Sequence, residues 1–189
     1  MRRTIWLSTL LLGAAGPALA HSGPETSGFL HPFSGLDHLL AMVGVGLWAA
    51  LLAGRKPVIA VAVPAAFLAM MAIGAAAGFA GIKLPLVEAA ILASVFVIGG
   101  LIIGAVRPPV AWAMAVVGLF AVFHGYAHAL EAPPSGVGGY ILGFLAATAL
   151  LQGAGLAIGW VVHRAVGDPG LRALGGVVIA TGAVVLIAH

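Results

Sequence analysis

Six stretches of about twenty residues, nearly free of charge, follow one another along the chain: 35–53, 57–80, 84–106, 109–131, 138–163 and 171–188. A helix needs about 20 apolar residues to cross the hydrocarbon core of a bilayer. Inside that core only a helix or a closed barrel satisfies every backbone polar group. Composition agrees: 62% of the 189 residues are hydrophobic and 7% are charged, and the mean hydropathy is +1.19. A soluble domain covers its surface with roughly a quarter charged residues. The expected fold is therefore an all-α, polytopic membrane helix bundle of six transmembrane helices, one domain over residues 21–189. Pro57, Pro85 and Pro109 fall at helix starts, where a missing N–H costs nothing, and Pro64 should kink the second helix. Gly74/Gly78, Gly100/Gly104, Gly139/Gly143 and Gly155/Gly159 are small-residue pairs suited to close helix packing.

Residues 1–20 read as a cleaved signal peptide. Arg2-Arg3 makes a positive start, residues 5–15 are apolar but too short to span, and Ala18-Leu19-Ala20 fits a small-x-small cleavage site. Cleavage would leave His21 as the mature N-terminus, whose α-amine and imidazole together can chelate a metal. A signal peptide delivers that terminus to the periplasm. Arg55, Lys56, Arg107, Arg164 and Arg172 then fall in cytoplasmic segments and only Lys83 in a periplasmic one. This obeys the positive-inside rule and puts both mature termini outside a bacterial inner membrane. The net charge of +3 is thus explained by topology; no nucleic-acid partner is implied.

Ionisable groups inside membrane spans are costly and mark function. One set is His31, Asp37 and His38, at the outer mouth of the first span; another is His124, His128 and Glu131, at the outer end of the fourth. Glu88 enters the third span from the same side. His124 and His128 stand four apart and share a helix face, to which Glu131 nearly returns after two turns. Met42 lies one turn beyond His38. The chain has no cysteine, so a metal site must use His, Asp, Glu, Met or backbone groups. Imidazoles and carboxylates at one depth suit nickel, cobalt, zinc or copper, with Asp37 suited to orient the His38 ring. His163 and His189 read as interfacial. A b-type cytochrome with axial histidines, an intramembrane metalloenzyme, and a metal-binding accessory or sensor protein are the competing readings; there is no His-Glu-x-x-His motif and no nucleotide-binding loop.

At these residues the sequence resembles the HupE/UreJ family of nickel and cobalt permeases. The motifs are His31-Pro32-x-x-Gly35-x-Asp37-His38, followed by Met42, Gly44 and Gly46; Phe123-His124-Gly125-Tyr126-Ala127-His128-x-x-Glu131; and residues 143–148 of the fifth span. The resemblance implies secondary transport of Ni²⁺ or Co²⁺ into the cell, with no resident cofactor and with a link to hydrogenase or urease maturation. It implies that His31, Asp37, His38, His124, His128 and Glu131 handle the metal. Ala129 stands where the family often has glycine, and Gln152 where a histidine is expected on the fifth span.

Overall fold

The computed structural model describes residues 28–54 and 56–188. A 3₁₀ turn, His31–Phe33, leads into six helices: α1 Leu36–Ala53, α2 Pro57–Phe79, α3 Val87–Ile103, α4 Val110–Leu130, α5 Val137–Val166 and α6 Asp168–Ala188. The signal peptide and His21 lie outside the described residues. All six expected spans are helices, and five are long and apolar enough to cross a membrane.

The third is shorter than its apolar run. Leu86 adopts a left-handed conformation (φ 58°) just after Pro85, so α3 starts at Val87. At its other end Ala105 (φ 49°) turns the chain, and Val106 N–H bonds the Leu101 carbonyl. The 17 residues that remain rise about 25 Å, below the roughly 30 Å of a typical hydrocarbon core. Leu86 is exposed, so its side chain contributes little packing there. A side chain with a Cβ costs about 1 kcal/mol or more in the left-handed region, and asparagine tolerates it best. Leu86→Asn is therefore expected to raise the apparent melting temperature of the detergent-solubilised protein, read by a thermal shift assay.

The strongest helix pairs are α2 with α4, α1 with α5, and α3 with α6. α1 also touches α2, α3 and α6. It is the central pole, 61% buried against 28–44% for the other long spans. Glycines set the closest approaches. A Cβ on Gly46 would strike the Gln152 carbonyl and one on Gly155 the Val43 carbonyl, locking α1 to α5. Gly74 meets Val122 and Gly125 meets Met71 in the same way, locking α2 to α4. Of the small-residue pairs read from sequence, 74/78 and 155/159 pack tightly between helices, whereas Gly100 and Gly139 face open space. α2 continues as one helix through Pro64.

The two ends of the bundle differ. At one, Arg107 grips both carboxylate oxygens of Asp168 at 2.7 Å, Arg172 donates to the Ile103 carbonyl, and Arg164 lies over the Trp160 ring. His163 is held there too, 3.3 Å from Asp168. At the other end the 3₁₀ turn folds over the mouth between α1, α4 and α5, and the remaining described histidines gather.

Candidate metal centre

Local sequence fixes the histidines one at a time. Pro32 sets the 3₁₀ turn, and Gly35, in extended conformation, lets α1 begin immediately after it. Asp37 then sits in the first turn of α1. Its Oδ1 accepts the His38 backbone N–H at 2.8 Å and the ring Nδ1–H at 3.0 Å. This fixes the tautomer and leaves Nε2 of His38 with its lone pair, buried and without a hydrogen-bond partner. His124 repeats the arrangement by another route. Its Nδ1–H donates to the Phe120 carbonyl one turn back (2.9 Å), and its Nε2 is likewise buried and unpartnered. Both rings thus present a metal-binding nitrogen, held in place through the opposite side of the ring.

His128 is the least satisfied of the four. The residue is fully buried, both ring nitrogens lack partners, and the ring stacks on Phe144 at 4.7 Å. His31 Nε2 lies 2.5 Å from Glu131 Oε2. The four rings form one contiguous series: His31 to His128 at 4.9 Å, His128 to His38 at 5.2 Å, His38 to His124 at 5.1 Å between centroids. The series runs inward from Glu131, 38% exposed, to His124, fully buried. Buried polar groups in folded proteins are nearly always hydrogen-bonded. A run of unpartnered imidazole nitrogens is therefore what a ligand must satisfy.

The donor set fits a borderline divalent cation. Ligand atoms of His31, His128 and Glu131 all lie within 4.8 Å of one another. Nitrogen and oxygen ligands with bonds of roughly 2.0–2.2 Å stand about 3–4 Å apart around one ion, so small side-chain rotations close the triad.

The structure thus brings together His31, Asp37, His38, His124, His128 and Glu131 from the turn, α1 and α4. Met42 lies one turn further along α1, where its sulfur accepts the Thr148 hydroxyl at 3.3 Å. Glu88 is exposed on the first turn of α3, a helix that packs chiefly on α6. The surroundings of the rings were not read from sequence. Tyr140 lies 5.8 Å from His31, Phe144 under His128, and Phe67 5.6 Å from His124. The signal existed on α5, where Tyr140, Phe144, Thr148 and Gln152 recur every four residues and so share a face.

Fold and site together define a polytopic helical membrane protein with an intramembrane cluster of imidazole and carboxylate groups. The family model described as "HupE / UreJ protein" matches residues 9–185. Protein HupE of Rhizobium leguminosarum bv. viciae is 42% identical over 188 residues, covering 96% of this chain and 97% of that protein. The chain belongs to the HupE/UreJ family. No solved structure matches it.

Proposed function

We propose that this protein is a secondary transporter that moves Ni²⁺, or Co²⁺, from the periplasm to the cytoplasm through the histidine cluster. One observation carries the reading: four histidine rings from three chain segments converge inside a membrane bundle, and three of them hold buried nitrogens without partners. The orientation is supported by charge. Lys56, Arg107, Arg164 and Arg172 lie towards the end remote from the cluster, and cytoplasmic segments carry the excess of Lys and Arg. Membership of the HupE/UreJ family, whose resemblance already implied nickel and cobalt, supports the choice of cargo.

In this mechanism His31 and Glu131 meet the hydrated ion at the periplasmic mouth, and the ion takes the place of their mutual contact. His128 and His38 replace further water, and His124 is the innermost imidazole. Asp37 holds the His38 ring and offsets part of the ion's charge. The inside-negative potential drives entry with about 2.3 kcal/mol per charge per 100 mV, hence roughly twice that for a divalent ion. Ring packing favours a bare ion over haem: the imidazoles contact one another and Phe67, Phe144 and Tyr140, which leaves no slot for a macrocycle between them.

The test is uptake of radioactive nickel into proteoliposomes holding an inside-negative potential. Accumulation that collapses with the potential is expected. Binding without accumulation would make the protein an accessory or sensor.

A further inference from the structure

Beside the innermost histidine, one turn beyond His38 on α1 and beyond Phe144 on α5, the core holds a second group of donors that nothing above uses. Thr148 Oγ1 lies 3.3 Å from Met42 Sδ and 3.6 Å from Met71 Sδ, so α5, α1 and α2 each contribute one atom. All three residues are fully buried. The hydroxyl has one proton for two sulfurs, and its own lone pairs remain. The separations are those of neighbouring ligands on a common ion: bonds of about 2.2–2.3 Å at right angles put donor atoms roughly 3.2 Å apart. One turn further along α5, Gln152 is fully buried and neither its amide oxygen nor its amide nitrogen has a hydrogen-bond partner. Gly46 brings α1 against the backbone of α5 at that residue, one turn beyond Met42.

Gln152 also stands at the edge of an open, mostly apolar groove of about 240 Å³ between α2 and α5, lined with Ala60 and Pro64. A second open groove, of about 570 Å³, shares Ala60, Gly153 and Leu156 with the first and reaches Trp160, His163 and Arg164 at the basic end. Pro64 has no N–H, so the Ala60 carbonyl lacks its usual helical donor where the two grooves meet.

We propose that Met42, Met71, Thr148 and Gln152 form a second cation site beside the inner histidine, with Gln152 its innermost donor, which a late first-row divalent ion occupies on its way towards the basic end; this rests on the transport reading. Two thioethers favour soft and borderline ions, whereas Mg²⁺ and Ca²⁺ require oxygen shells. Every donor is uncharged. A neutral shell holds the ion loosely enough to release it, as conduction requires, whereas the histidine and carboxylate cluster provides capture. The site therefore adds selectivity and transit, not affinity.

The full-length protein tests this with two variants, Gln152→Leu and the double variant Met42→Leu with Met71→Leu, each nearly conserving volume. Equilibrium binding of radioactive nickel to the purified protein reads the histidine cluster, and initial uptake into proteoliposomes reads transit. Binding within about threefold of wild type, with uptake lowered at least tenfold, is expected for both. Wild-type uptake in both variants overturns the proposal. So does loss of binding together with uptake at an unchanged melting temperature, because the atoms would then belong to one site with the histidines. If the double variant melts early, Thr148→Val replaces it under the same criteria. A wild-type protein that neither binds nor accumulates nickel overturns the transport reading, and this site with it.

Discussion

His128→Phe is expected to abolish nickel uptake and, against the usual cost of a core substitution, to leave the protein as stable as wild type or more so. The ring of His128 is fully buried, stacks on Phe144, and has no hydrogen-bond partner for either nitrogen. A buried polar group left unsatisfied costs about 1–3 kcal/mol. Phenylalanine keeps the stack and the approximate volume while removing that cost. It also removes the nitrogen that completes the outer triad with His31 and Glu131, on the ring that adjoins His38 deeper in the bundle. Uptake at background together with an apparent melting temperature at or above wild type marks a residue kept for binding rather than for folding. A variant that melts well below wild type while still binding nickel would show that His128 serves packing alone. The contrast is sharpest beside His124, whose Nδ1 bonds the Phe120 carbonyl; changing it loses a real hydrogen bond as well as a ligand.

What could be read from sequence follows from what a periodicity encodes. Hydropathy placed the spans because lipid tolerates so few alternatives. Spacing placed His124 and His128 on one helix face because four residues complete about one turn. Both are properties of a single helix. Which helix that face meets is decided elsewhere, by glycines whose value lies in the partner backbone. Gly46 and Gly125 make two of the closest approaches in the bundle, yet neither belongs to a small-xxx-small pair read from the sequence. Phe144 and Thr148 belong to the 143–148 stretch that carries the resemblance, but on an apolar span neither they nor Met71 show a chemical role by spacing. Their chemistry arises only once α1, α2, α4 and α5 are side by side. Glu88 shows the same limit from the other direction: depth was legible, but the direction in which α3 presents it was not. The boundaries of α3 were missed for a local reason, since left-handed Leu86 and Ala105 end a helix that hydropathy alone would prolong.

A glycine set between the two histidines of α4 carries the second large effect. Gly125 follows His124, and a Cβ placed on it would drive into the carbonyl of Met71 and crowd the Ala75 nitrogen. These are backbone atoms, so nothing can rotate aside, and relief requires α2 and α4 to move apart. Overpacking of this kind costs typically about 1–3 kcal/mol. Here its geometric consequence is larger than its energy. α4 carries His124 and His128, whereas α2 carries Phe67 against His124 and, one turn nearer the mouth, Met71 with its sulfur on Thr148. Separating them shifts the inner imidazole relative to the thioethers even where the bundle still assembles. Gly125→Ala is therefore expected to lower the apparent melting temperature by several degrees and to cut nickel uptake at least tenfold. Gly139→Ala is the matched control: its Cβ would enter open space, and alanine gains up to about 1 kcal/mol of helix propensity over glycine. That variant should melt at or above wild type and transport normally. If both glycines tolerate alanine equally, the α2–α4 contact does not set the site, and the spacing of the donors must be fixed by the α1–α5 pair alone.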